Sequence, residues 1–211
     1  MMPEGNPFST RYTQPGRLEY QFPADSNARQ LVERLAACGW WGQIVGPHGV
    51  GKSTLLQTLL PELTTAGRTV SWWTMSSGQR RWPAGLQVAA RSWRAAANVL
   101  VVVDGYEQLG YLARWRLRRR CRQTGSGLLV TTHRPGNLPT IATLSCPLPT
   151  VQRLVAQLLN TNRGLISADD VSSCYAAHRG NVRETFFALY DLYELRRRSA
   201  QTRQPDGGRM P

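Results

Sequence analysis

The stretch Gly46-Pro47-His48-Gly49-Val50-Gly51-Lys52-Ser53-Thr54 fits the spacing G-x-x-x-x-G-K-[ST] without a mismatch. These residue types at this spacing make a phosphate site. The glycines let the backbone turn so that its N–H groups face phosphate oxygens, the lysine ammonium reaches the β and γ phosphates, and the serine hydroxyl is a ligand for Mg²⁺. Lys52 is also the one lysine in a chain with 26 Lys+Arg. A compact ammonium suits this position, where the planar fork of arginine would not fit. The implied cofactors are ATP and Mg²⁺. Guanine preference is not expected, because neither N-K-x-D nor T-K-x-D occurs.

A second anchor is Asp104, which ends the apolar run Val-Leu-Val-Val-Val-Asp. A carboxylate at the end of a buried strand beside a phosphate loop can hold Mg²⁺ through its water shell. The plainer alternative is a polar residue that merely terminates the strand. Ser53 and Asp104 are thus the candidate metal residues, the latter through water.

Such residues need a scaffold of alternating strands and helices. "WWGQIV" predicts a short buried strand running into the glycine loop, and a helix follows from Lys52 to about Ala66, with Pro61 as a candidate kink. "RTVSWWTM" is β-branched and aromatic, a second strand. "AGLQVAARSWRAAAN" is helical by composition, and "VLVVVD" is the continuous apolar run of a central parallel strand. One helix is expected from about Tyr106 to Gln123, ending at Gly125. "GLLVTT" gives a fourth strand and "IATLSCPLP" a fifth. Strands alternating with helices at this spacing mean a parallel sheet covered on both faces.

The flanks read differently. Residues 1–23 are rich in Pro, Gly and polar types and are expected to form an extended arm. "DSNARQLVERLAAC" is an amphipathic helix with Asp25 or Ser26 as cap. After Pro149 only helical signals remain: "TVQRLVAQLL", then "SADDVSSCYAAH" with Ser167 and Asp170 as a capping box, then "NVRETFFALYDLYELRRR" with Asn181 and Glu184 as its capping pair. The expected organisation is an arm over 1–23, a core over 24–149, a helical lid over 150–198 and a disordered tail over 199–211.

Bulk properties narrow the class. No apolar run approaches the length of a membrane span, and the N-terminus lacks the pattern of a secretory signal. The four cysteines are far apart with no C-x-x-C pairing, which argues against a structural metal site and for reduced thiols in a cytoplasm. A net charge of +13 points to a polyanionic partner, nucleic acid or an acidic protein surface.

"LVVVDGYEQL" resembles the Walker B segment of the additional-strand, catalytic-glutamate P-loop NTPases. Most of that class place glutamate directly after the aspartate, where this chain has Gly105. The NACHT group of the STAND NTPases has a small residue there and an acid three positions after the aspartate, which is Glu107. The resemblance implies that Glu107 polarises the attacking water, with capping of the next helix as the alternative. "LLVTTHRP" is similar to a sensor-1 strand, which makes Thr132 the candidate for orienting water, Thr131 the register alternative and His133 a further candidate. "HRGNVRE" is similar to the sensor-2 motif of an AAA+ lid helix, and the matching residue is Arg183. Arg134 lies where AAA+ proteins place an arginine finger. Asn6-Pro7-Phe8 before an amphipathic helix is similar to AAA ATPases in which the segment preceding the loop packs near adenine. These resemblances imply an α/β P-loop NTPase with a three-layer core, a parallel five-stranded sheet and then a small all-helical lid; AAA+ relatives often act as rings, which leaves monomer and homo-oligomer both open.

"RWRLRRRCR" gathers Arg114, Arg116, Arg118, Arg119, Arg120 and Arg122 on or around one helix, with Trp115 among them. Arginines three and four apart share a face and repel one another without an anion. They are the candidate nucleic-acid residues. The expected function is a slow Mg²⁺-dependent ATPase of the AAA+/STAND kind, acting as a nucleotide-driven switch or remodelling factor on nucleic acid. The alternatives are an ATP-dependent nucleic-acid adaptor that does not hydrolyse, and a small-molecule kinase.

Overall fold

A computed structural model describes residues 5–14, 16–23, 25–94, 98–159 and 164–202. Five strands form one sheet: β1 (Trp41–Val45), β2 (Thr69–Thr74), β3 (Val99–Asp104), β4 (Gly127–Thr132) and β5 (Thr140–Thr143). Their spatial order is β2-β3-β4-β1-β5, and every neighbouring pair is parallel. Parallel neighbours need crossovers, and helices supply them. The helices are α1 (Thr10–Thr13), α2 (Ala28–Ala37), α3 (Lys52–Thr65), α4 (Ala84–Ser92), α5 (Tyr111–Thr124), α6 (Leu148–Leu159), α7 (Ala168–Ala177) and α8 (Val182–Thr202).

All six residues of β3 and all six of β4 are buried, as expected for strands covered on both faces. Side chains alternate between the two faces. Val99, Val101 and Val103, with Leu128 and Val130 of β4, pack against Leu86 and Ala90 of α4 and Leu117 and Cys121 of α5. On the opposite face, a Cβ at Gly42 would lie 2.9 Å from Leu35 of α2, and α3 packs beside β2. The core is therefore the three-layer α/β arrangement expected of a P-loop NTPase. Its buried leucines are costly to truncate; Leu100→Ala in β3 loses about 2–5 kcal/mol.

The chain divides into two compact units, Glu19–Ser145 and a second made of the segments up to Leu18 and from Cys146 on. The second unit is helical. Its core joins Phe8 to Val151 and Val155 of α6, Val171 of α7, and Phe186 and Leu189 of α8. The capping box at Ser167 and Asp170 is present, and Asn181 accepts from the Glu184 N–H at 3.3 Å.

Several local features differ from the sequence reading. Asn27, not Asp25 or Ser26, caps α2 by accepting from the Gln30 N–H, because it stands directly before the first helical residue. The helix expected from Tyr106 is a 3₁₀ turn (Tyr106–Gln108) followed by α5, since Gly105 takes a left-handed conformation at φ 81° and Gly110 an extended one. Residues 5–14 are not simply an extended arm. Phe8 is buried against Phe186 and Tyr193, and the Asn6 amide donates to Tyr190 O and Glu194 Oε1. The "NPF" segment is thus a packing element of the helical unit. Helix α8 runs through residues 199–202 of the expected disordered tail, and 203–211 lie outside the described residues, as do 1–4 of the expected arm.

Candidate functional site

The glycine loop joins β1 to α3. Gly46 N–H donates to Thr132 O at 3.1 Å, which ties the start of the loop to the end of β4. A Cβ at Gly46 would lie 2.9 Å from Leu144 O, so only glycine passes there. Gly49 and Gly51 sit at φ 75° and 94°, conformations that glycine adopts without strain. Helix α3 begins at Lys52, with its free N–H groups and positive dipole end at the loop. Pro47 and His48 are exposed, Val50 is buried, and Ser53 and Thr54 are half-buried.

Lys52 is buried, and its Nζ donates to Gly46 O at 2.6 Å and Pro47 O at 2.7 Å. An ammonium has three donors, so one remains for an anion. Burial lowers its pKa from the ordinary lysine value, while the carboxylates of Glu107 and Asp104 pull it back up. Ser53 Oγ donates to Asp104 Oδ2 at 2.5 Å. The other oxygen of Asp104 accepts from Thr131 Oγ1 at 2.7 Å, and Thr131 in turn accepts from Gly105 N–H at 2.8 Å. Thr131 therefore braces the carboxylate and the turn after it, a role that the sequence reading did not give it.

Glu107 lies in the 3₁₀ turn. Its Oε1 is 3.0 Å from His133 Nε2, and its Oε2 is buried without a hydrogen-bond partner among the described residues. His133 rests against His48 of the loop, ring centroids 3.5 Å apart. Burial lowers the pKa of His133; Glu107 opposes this, and Lys52 and His48 add to it. Thr132 Oγ1 is likewise buried with no partner among the described residues. Two unpartnered buried oxygens beside a phosphate loop are costly unless a ligand or water completes them.

Mg²⁺ takes one or two protein oxygens and leaves its other positions to phosphates and water. The hydroxyl of Ser53 and the carboxylate of Asp104, already in contact, fit that requirement. Gln43 was not singled out from the sequence, though a buried amide inside an apolar strand is a signal. It donates to Leu138 O at 2.7 Å and Thr140 Oγ1 at 3.1 Å and accepts from Gly136 N–H at 3.0 Å, which fixes the loop after His133. Exposed Arg134 lies on that loop.

The arginine-rich segment does not form a single face. Arg114, Arg118, Arg119 and Arg122 line a cavity of about 920 Å³ that also reaches Glu107, Thr132 and His133. Arg116 and Arg120 line a different cleft with Arg80 and Arg91. Arg120 is tied there by two hydrogen bonds to Ala90 O, at 2.9 and 2.6 Å. Arg183 is exposed in the first turn of α8, in the helical unit.

No protein-family model and no curated protein matches this chain. Solved structures do. PCH-2 of C. elegans matches at 13% identity with a TM-score of 0.48, covering 86% of this chain and 71% of that one. AMPPCP-bound DnaA of Aquifex aeolicus matches at 16% identity with a TM-score of 0.48, covering 82% of this chain and 64% of that one. Both are likenesses of fold. Among the described residues, no helix is long and apolar enough to cross a membrane.

Proposed function

We propose that this chain binds ATP with Mg²⁺ and hydrolyses it slowly, as a nucleotide-driven switch of the AAA+/STAND kind that acts on nucleic acid. The observation that carries the reading is the 2.5 Å hydrogen bond between Ser53 and Asp104. Two residues 51 positions apart, each chosen as a Mg²⁺ ligand by its own motif, meet at one point beside the only lysine. Ser53 and Asp104 would hold Mg²⁺, which would supply charge neutralisation to the phosphates.

The protein's own groups do the rest. Lys52 and the loop N–H groups hold the phosphates. Glu107 takes the proton of a water whose oxygen bonds to the γ phosphorus as the bond to the β–γ bridging oxygen breaks. Thr132, with a hydroxyl free to bond, orients that water. By resemblance to the sensor-2 motif, Arg183 of the helical unit is the candidate sensor of nucleotide state. Isothermal titration with MgATP tests binding, and phosphate release tests turnover. Heat from wild type and none from Lys52→Ala supports the site, whereas identical heats from both would remove it.

A second reading, an ATP-dependent adaptor that does not hydrolyse, is favoured by two observations: Gly105 stands where a catalytic glutamate is usual, and Glu107 is held by His133. Wild-type phosphate release no faster than that of Lys52→Ala, with MgATP binding intact, selects it. A small-molecule kinase transfers phosphate mainly to an added acceptor, so phosphate release in water alone counts against that third case.

A further inference from the structure

Helix α5 presents two parallel rows to the 920 Å³ cavity. Arg114, Arg118 and Arg122 are spaced four apart, so they stack along one side of the helix with a rise of about 6 Å per step. Beside them runs the row Tyr111, Trp115 and Arg119. Tyr111 is 80% exposed and Trp115 50% exposed, and both line the cavity. Arg134 adds a fifth guanidinium from the facing loop.

Among the described residues no ion pair involves Arg118, Arg119, Arg122 or Arg134. Arg119 and Arg122 lie over tryptophan rings instead, at 5.5 Å from Trp115 and 5.4 Å from Trp41. Among the described residues one carboxylate, Glu107, lines the cavity, at the end nearest the phosphate loop, with Oε1 3.0 Å from His133 Nε2. A row of like charges with no counter-ion repels itself, and an anion with charges repeated along a line relieves that repulsion.

We infer that this groove binds a single-stranded nucleic acid, with its phosphates along Arg114, Arg118 and Arg122 and its bases against Trp115 and Tyr111. Single strands are held by a cationic track next to aromatic platforms, and their unpaired bases are free to stack. A duplex keeps its bases stacked on one another and gains nothing from Trp115. An acidic peptide would satisfy the arginines but leave the aromatic row unused. This deepens the nucleic-acid part of the proposed function, and it stands whether or not ATP is turned over.

The groove ends at the nucleotide-site residues. Arg114 donates to Leu109 O at 2.6 Å and to Glu107 O at 3.1 Å, so the start of the arginine row also braces the turn that carries Glu107.

The test is fluorescence anisotropy of the full chain with a labelled oligothymidylate, a duplex of equal length and a polyglutamate peptide, each titrated at several salt concentrations. The single strand should bind about tenfold more tightly than the duplex, because stacking on Trp115 is open to it alone. Trp115→Ala should cut single-strand affinity about tenfold and leave duplex affinity unchanged. The double variant Arg118→Gln, Arg122→Gln should lower the log–log salt slope by about 1.4, or 0.7 per contact. Arg91→Gln, in the other cleft, should leave the slope as it is. Equal binding of duplex and single strand, or equal binding of the peptide, overturns the inference, and so does an unchanged slope in the double variant. Each titration is repeated with a labelled ATP analogue in place of the oligonucleotide. A chain that binds oligonucleotide but not nucleotide removes the ATPase reading and keeps the groove; the reverse result removes the groove alone.

Discussion

His133 Nε2 and Glu107 Oε1 lie 3.0 Å apart, and the same imidazole rests on His48 of the phosphate loop. The candidate general base is therefore held by a titratable partner. Burial shifts His133 below its ordinary pKa of 6.5, so the imidazole is neutral at neutral pH and protonates only below 6.5. Once charged, it forms an ion pair with Glu107 and occupies the carboxylate oxygen that faces it. Phosphate release should therefore fall as the pH drops below 6.5, and His133→Asn should flatten that limb while keeping most of the rate at pH 8. Glu107→Gln should cost about 100-fold or more at every pH. Parallel pH profiles for wild type and His133→Asn would show that the contact does not govern hydrolysis.

Thr131 and Thr132 are neighbours with opposite engagements. Thr131 donates to Asp104 and accepts from Gly105, whereas the Thr132 hydroxyl has no partner among the described residues. Thr131→Val should cost about 2–3 kcal/mol in thermal unfolding, because it strands a buried N–H and a carboxylate oxygen. Thr132→Val should change stability little, yet lower phosphate release by about tenfold or more. If the two variants exchange these effects, the water-orienting role belongs to Thr131.

The sheet was legible in the sequence because its signals are chemical and local. Five consecutive apolar residues at Val99–Val103 can only be buried on both faces, and a left-handed loop at Gly49 and Gly51 admits little but glycine. The phosphate loop could be located for the same reason. The Glu107–His133 contact was not legible, since it depends on two loop ends meeting across strands 26 positions apart. Nor was the division of the arginines: positions 114, 118 and 122 and positions 116 and 120 differ only in helical phase, which a charge count ignores. The burial of Phe8 was hidden because its partners Phe186 and Tyr193 lie at the far end of the chain.

Gly105 stands where the resemblance of this segment to a Walker B strand would place a glutamate, and the backbone there disfavours one. It sits at φ 81°, and a Cβ would lie 3.0 Å from Met75 O. Gly105→Glu should destabilise the chain by about 1–3 kcal/mol and should not raise phosphate release. A faster, equally stable variant would mean that the turn relaxes and that Glu107 is not the base.

In the helical unit, Arg196 forks onto both oxygens of Asp170, one at 2.5 Å and one at 2.8 Å, and the same carboxylate closes the capping box with Ser167. The Arg196 hydrogen bonds, more than any other cause, hold the Asp170 pKa down to about 2 from 3.8; burial opposes them and Ser167 assists. A depressed carboxylate pKa stabilises the fold above the unfolded value and loses that contribution as pH falls through the folded one. The stability from this pair should therefore be complete above pH 3.8 and disappear toward pH 2. Arg196 is 40% exposed, so screening leaves about 1 kcal/mol to it. Asp170→Asn should lower the melting temperature at pH 7 and remove this step from the acid titration of stability, followed by circular dichroism. An acid limb that is the same in wild type and variant would assign the acid sensitivity to other carboxylates.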